Sequence, residues 1–420
     1  MVNPDYLLHI SEGAEEISEM LHNEIIKQII DRIMLRIGRG DDYILTTQDK
    51  WQLETLQQAG YLLEDIQKEI AKATKLQQTE IAEAMEEAGV KTLEYDNEIY
   101  RSVGLEPKPF TQSPELIRIA QRNYEATIGE FRNFTRTMAL QSQQLFIKEC
   151  DRAYNLVATG ALSYSEAVKE VINNVVSDGV TVTYPSGHTD TIETATLRAV
   201  RTGISQMSAQ VGIARMKEMG ACLAITSSHF GARPSHYLWQ GKVFYVDWNK
   251  MNEVYPLSEI PTPQNIDRSL ESKYPDFVES TRIGKVDGLS GANCRHSHSV
   301  FYEGMENPFN DYDSEENRKM YEKQQRQRTL ERRIRDTKRQ VMGLKEAVDK
   351  EKHKPTKFEL DLQYQKKSTL LEKQNKAYND YCASNNLRTR SDRIKIAKWD
   401  RKQASAASGA AKRYKNAKGD

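Results

Sequence analysis

Residues 163–184, SYSEAVKEVINNVVSDGVTVTY, hold the change of pattern on which the fold turns. Ser163-Tyr164-Ser165-Glu166 opens a helix that ends near Asp178-Gly179. From Gly179 the register of the chain changes. Val180-Thr181-Val182-Thr183-Tyr184 is β-branched and alternating, and Pro185-Ser186-Gly187 follows as a turn, so a short hairpin is predicted. Upstream of this point everything reads as helix. Ile17, Met20, Leu21, Ile25, Ile29, Ile33 and Ile37 recur at helical spacing behind Ser11, and Gly38 and Gly40 end the run. A second helix is predicted from about Thr47 to Gly60. A third runs from Tyr61 to Ala88, with Gly89 as its C-cap. Pro107 and Pro109 mark a break, and Ser113-Pro114-Glu115 starts a long helix towards Cys150.

Downstream, Thr191 to Gly220 returns to helix, and Ala221–Thr226 reads as a buried strand. Residues 227–305 are rich in aromatics, Gly and Pro and form the compact part. Asp313 to about Tyr381 is charged, with thin apolar spacing, and Pro355 interrupts it; a solvated helical hairpin or coiled coil is predicted. Residues 403–420, QASAASGAAKRYKNAKGD, read as disordered. The fold class is therefore mainly α with a small α+β module: long helices in the N-terminal half, a compact α+β domain, and a charged helical or coiled-coil C-terminal tail. The domains divide as 1–178, 179–310, 311–390 and a disordered basic tail, 391–420.

Of the 420 residues, 29% are charged and 38% apolar, so the core must be thin for this length. The net charge is zero, but the halves differ: residues 313–420 hold 30 Lys/Arg against 16 Asp/Glu, which leaves 30 against 44 for residues 1–312. A basic tail on an acidic body points to an anionic partner such as DNA, or to a solvated face that pairs with its own body. Four widely spaced cysteines, at 150, 222, 294 and 382, form no disulfide framework. No signal peptide and no run of about 18 apolar residues is present, which excludes a membrane span and implies a protein made in a cytoplasm or in a particle assembled there.

Two short clusters carry chemistry: SSHFGARPSHYLWQGKVFYV (227–246) and GLSGANCRHSHSVFYEGM (288–305). They hold four of the eight His and one Cys. Zinc takes four Cys or His ligands, often as pairs from separate loops. His229 and His236 with Cys294 and His296 (or His298) would supply such a set, since residues at i and i+2 of an extended segment share a face. The competing reading is a packed polar core around Trp239, Phe244 and Tyr245. Cys294 beside a His would also suit a thiolate nucleophile, but nothing marks an oxyanion hole or an orienting acid. Phosphate-binding glycine motifs are absent, and Asp41-Asp42 is a loop charge.

The run His229–Phe244 followed by Asn293-Cys294-Arg295-His296 resembles the phage minor capsid protein 2 family and, more distantly, the head-morphogenesis module of Mu F-like minor head proteins. In the wider group a polar loop runs into a DGK-V/F element and a later HPNCRC closes the module. Gln240-Gly241-Lys242-Val243-Phe244 matches the first element with Gln for Asp; Asn293–His296 matches the second with His as the last ligand-type residue. His236 falls where many relatives carry the second Cys of a CxxC, and Arg233 where the first would be. The likeness covers 190–305 well and 1–189 loosely. It implies a Mu F-like α+β module and a structural virion protein rather than an enzyme. It implies a place at the portal on the inner face of the head, with the portal and the major capsid or scaffold protein as partners. Assembly in the host cytoplasm and contact with packaged double-stranded DNA follow from the same reading. On this reading Trp239, Gly241, Lys242, Phe244, Asn293 and Arg295 build the module. Arg393, Lys395, Lys398, Arg401, Lys402, Lys412, Arg413, Lys415 and Lys418 are the residues that would meet DNA phosphates. Two other readings stay open: a metal- or cysteine-dependent enzyme in 190–305, and a DNA-binding protein working through its tail.

Overall fold

The computed structural model describes residues 6, 9–37, 47–179, 181–184, 187–257, 259–263, 267 and 269–418. Gly38, Gly40, Asp41-Asp42, Val180 and Pro185-Ser186 lie outside them. The described chain is mainly helical, with two small antiparallel sheets. It packs as two compact units, each assembled from three stretches: residues 1–15, 76–131 and 196–324 form one, and 16–75, 132–195 and 325–420 the other. The chain thus groups as interleaved units rather than along the linear division expected from the sequence, because the unit boundaries fall inside long helices.

The helix α1 (Glu12–Ile37) buries Ile17, Leu21, Ile25, Ile29, Ile33 and Ile37 of the stripe read from their spacing, whereas Met20, expected with them, is exposed. The next helix, α2, is continuous over Gln48–Ser102. Two helices were expected here, separated at Gly60 and closed at Gly89. Both glycines lie inside α2. Gly60 has open space around it, and Gly89 lies against Phe110 at 3.5 Å and the Met207 sulfur at 3.7 Å. The interior cost of a helical glycine, about 1 kcal/mol each, is outweighed by the buried residues on either side, such as Trp51, Leu62, Ile81 and Met85. The true stop is Gly104, at φ +81°, with Leu105 N–H donating to the Tyr100 carbonyl at 2.9 Å.

Helix α3 (Pro114–Ala158) starts at the Ser-Pro-Glu signal. Helix α4 (Tyr164–Asp178) carries a complete capping box between Ser163 and Glu166 and ends at Gly179. The hairpin follows as β1 (Thr181–Thr183) and β2 (Thr189–Thr191), paired antiparallel. Helix α5 is Ile192–Glu218.

In the first unit, β3 (Leu223–Thr226) is the centre of a three-stranded antiparallel sheet between β4 (Val243–Tyr245) and β5 (His298–Phe301). Both faces are covered. Ala224, Phe244 and Val300 face a large core shared with α2, α3 and α5, while Leu223, Ile225, Tyr245 and Phe301 face a smaller one. The short helices α6 (Pro234–Tyr237), α7 (Trp248–Val254), α8 (Ser269–Lys273) and α9 (Phe277–Thr281) fill the connections.

In the second unit, α10 (Ser314–Lys350, of which this unit takes the part from residue 325) and α11 (Lys354–Ser384) form the expected hairpin, with Pro355 in the first turn of α11. The tail expected to be disordered is helical over α12 (Arg401–Lys418). Ala407, Ala410 and Ala411 are buried, and Lys415 pairs with Glu372 of α11 at 2.6 Å. Alanine's helix propensity and its small volume at a close helix contact explain the order. Residues preceding α12 are also anchored. Ala397 N–H donates to Glu19 Oε2 at 2.9 Å, and Arg339 reaches Glu19 at 3.2 Å and Glu193 at 2.5 Å, while His22 Nδ1 lies 2.9 Å from Glu193. No helix among the described residues is long and apolar enough to cross a membrane.

Candidate metal centre

Three of the four residues expected to ligate meet in the first unit. His236 Nδ1 lies 3.4 Å from His296 Nδ1, and Cys294 Sγ lies 3.7 Å from the first and 3.8 Å from the second. His236 projects from α6, whose first turn is set by Pro234. Cys294 and His296 stand two apart in the extended segment that leads into β5, so they share a face. Trp239 walls the cluster, its ring 4.7 Å from His236 and 4.8 Å from His296.

The loop that delivers Cys294 is held by tight backbone approaches. A Cβ on Gly288 would stand 1.9 Å from the Arg282 carbonyl oxygen, and one on Gly291 2.4 Å from that of Val286. Asn293 adopts φ +57°. Arg233 donates from Nη2 to the Ala292 carbonyl at 2.9 Å and so ties the two loops together without ligating. Asn317 of α10 clamps the first loop: its Oδ1 accepts from Gly231 and Ala232 N–H at 2.8 and 3.1 Å, and its Nδ2 donates to the Ala232 carbonyl.

The outer nitrogens of both ligand-type imidazoles are spoken for. His236 Nε2 lies 2.9 Å from the Asp287 carbonyl, which can only accept. His296 Nε2 lies 3.1 Å from Gln240 Oε1, which also accepts the His229 backbone N–H at 3.1 Å; that second bond fixes the amide with its oxygen inward. Each Nε2 therefore carries the proton, and each Nδ1 presents a lone pair to the cluster. Burial drives the His236 pKa down to about 4, lowers that of His296 well below the ordinary imidazole value, and raises the Cys294 thiol.

His229, the fourth expected ligand, stands apart. Its ring stacks on His296 at 4.4 Å, and its Nδ1 takes Arg295 Nη2 at 3.2 Å. His298 sits on β5, edge-on to Phe277 at 5.4 Å. Gly241 turns at φ +67° towards β4, Lys242 Nζ donates to the Leu238 carbonyl at 2.7 Å, and Phe244 is buried on β4. Gln240 was read only as part of a motif and not as a partner of His296, and Asp287 and Asn317 carried no signal in the sequence. Each acts through a neutral amide or a backbone carbonyl, which no composition pattern marks.

In the second unit several residues expected to meet DNA are paired internally. Arg393 lies 3.8 Å from Glu331, Lys398 3.0 Å from Glu24, Arg413 3.8 Å from Asp361, and Lys415 is paired as above. Lys418 lies over the Tyr414 ring. Lys395, Arg401, Lys402 and Lys412 are exposed.

A "Structural protein" of Lactococcus phage LL-H is 24% identical to this chain over 328 residues, covering 75% of the chain and 83% of the relative. No solved structure matches. The family model of phage minor capsid protein 2 matches residues 2–372, from α1 through most of the α10–α11 hairpin, so the chain belongs to that family and is a structural protein of a bacteriophage particle.

Proposed function

We propose that this minor capsid protein docks on the portal at the inner face of the head and assists head assembly beside the major capsid or scaffold protein. The observation that carries the reading is a row of exposed apolar side chains at the start of α2. Leu53 is 70% exposed, Leu56 57% and Tyr61 45%, in a helix whose opposite face buries Trp51, Thr55 and Leu62. Apolar side chains repeated on a solvent face mark a surface that another subunit covers. Co-expression of the full chain with its cognate portal protein should give a complex that survives gel filtration. Leu53→Glu with Leu56→Glu should abolish that complex while leaving circular dichroism unchanged. Undiminished co-purification of the double variant would reject this surface.

A structural role is also supported over a cysteine enzyme. Cys294 is only 9% exposed and its burial favours the thiol, the reverse of an activated nucleophile. A second contact, with packaged double-stranded DNA, is supported by α12. Arg401, Lys402, Lys412 and Arg413 lie exposed on one side of that helix, separated by Ser405 and Gly409, opposite the buried alanines. Such a face neutralises phosphates without reading sequence. Charge reversal at Arg401, Lys402 and Lys412 should weaken duplex binding at about 50 mM salt and reduce its salt dependence, since each lost phosphate contact removes roughly one unit of slope. Equal binding by both proteins would assign the basic face to solvation alone.

A further inference from the structure

We propose that His236 Nδ1, His296 Nδ1 and Cys294 Sγ are the protein ligands of a structural zinc ion, with His229 outside the set. Zinc binds imidazole nitrogen at about 2.0–2.1 Å and thiolate at about 2.3 Å, so ligands at tetrahedral angles stand about 3.3 Å apart for a nitrogen pair and about 3.6 Å for nitrogen and sulfur. The three edges here are 3.4, 3.7 and 3.8 Å. All three donor atoms lie within 4.8 Å of one another, and no fourth His, Cys, Asp or Glu among the described residues joins them.

Hydrogen bonding leads to the same conclusion independently. With the Nε2 protons committed to the Asp287 carbonyl and Gln240 Oε1, two Nδ1 lone pairs face each other across 3.4 Å. One S–H can satisfy only one of them, so the arrangement lacks a proton and suits a cation. Outward Nε2–H bonds to carbonyl oxygens are the usual support for ligating histidines, fixing tautomer and ring angle. Two imidazoles and a thiolate select a borderline-soft tetrahedral ion; oxygen-seeking Mg²⁺ and Ca²⁺ find no oxygen ligands here. His229 is turned away from ligation because its Nδ1 accepts from Arg295, and its ring serves as a lid stacked on His296. The set leaves the fourth tetrahedral position to a solvent ligand. Three protein ligands with an open position are also the catalytic pattern, but His236, Cys294 and His296 are all buried, with Trp239 against both imidazoles, which favours a structural ion. Its work is to tie the α6 turn to the segment entering β5, in a module whose sheet is only three short strands wide.

The proposal does not depend on portal docking, and either can fail alone. The full chain, purified without chelator or affinity metal, should carry about one equivalent of zinc. Replacement by cobalt should produce the intense visible bands of four-coordinate Co²⁺ and a near-ultraviolet thiolate-to-metal charge-transfer band. Cys294→Ser should remove the charge-transfer band; if that variant does not fold, cobalt titration of the chelator-treated wild type reads the same band. His229→Ala should retain metal with near-normal affinity, whereas Gln240→Leu, which releases the His296 tautomer, should lose about 10–100-fold. Folded wild-type protein that holds no zinc and shows no cobalt–thiolate band would overturn the site. Loss of metal by His229→Ala as complete as by His296→Ala would overturn the three-ligand set.

Discussion

Asp96 of α2 is 1% exposed and accepts a hydrogen bond from Ser299 Oγ on β5. Burial raises its pKa to about 6, against the Ser299 bond that lowers it. Because the folded value lies above that of an unfolded aspartate, the folded state holds the proton more tightly. The stabilisation is complete below about pH 4 and is lost as pH rises through about 6, by roughly 2–3 kcal/mol. Urea unfolding of Asp96→Asn should therefore show a flatter pH profile between about pH 4.5 and about pH 8, and a protein at least as stable at the upper end; an unchanged slope would assign the acid titration elsewhere. At this scale the sequence was partly legible. His236, Cys294 and His296 stood out because ligand-type residues crowd two short segments. Gln240 stood out only as a motif residue, since its bond to His296 depends on a backbone N–H eleven residues away holding its amide, and Asn317 lies on a helix far downstream of the loop it clamps. His229 falls outside the trio for a related reason: spacing cannot tell which nitrogen a neighbouring arginine will occupy.

Among the elements, α2 departs most from expectation, and Gly60 tests it. If a helix ended there in a left-handed turn, alanine would strain the cap. In a continuous helix with open space around the residue, Gly60→Ala should raise stability by about 0.5–1 kcal/mol, read as a shift in urea midpoint at constant slope. Whether a glycine ends a helix depends on what the residues on either side of it pack against, and that is tertiary, so local sequence could not supply it. The same limit explains α12, whose alanines looked featureless until α11 was placed beside them. Glu193 of α5, buried against α1 and α10, would have its pKa raised by that burial, but Arg339 and His22 outweigh it and leave the carboxyl far below the usual carboxylate range. Its contribution has the opposite sign to that of Asp96: present above the unfolded pKa, and lost as pH falls. Arg339→Ala strands Glu19 and Glu193 without their guanidinium and should cost about 3–5 kcal/mol at neutral pH. A loss below about 1 kcal/mol, as for an exposed pair, would mean that water enters the network.

For the whole molecule, the class was readable from periodicity and the family from two motifs, while the division into units was not. Composition changes at residues 179 and 313, but α2, α3, α5 and α10 each contribute residues to both units. A linear boundary can be seen in a sequence; a helix passing through one cannot, because its interior residues look alike on both sides. The interleaving also bears on synthesis. On the ribosome, neither unit is complete when its first stretch emerges: one needs residues up to 324 and the other draws on the chain beyond 325. The faces of α2, α3 and α5 that pack on the sheet, and those of α1 and α5 that meet α10, must wait for partners still being translated. Vectorial, domain-by-domain folding is closed to such a chain, and the long delay favours holding by chaperones or capture by a waiting assembly partner. A nonsense mutation late in the gene would accordingly yield insoluble protein rather than a shortened functional one.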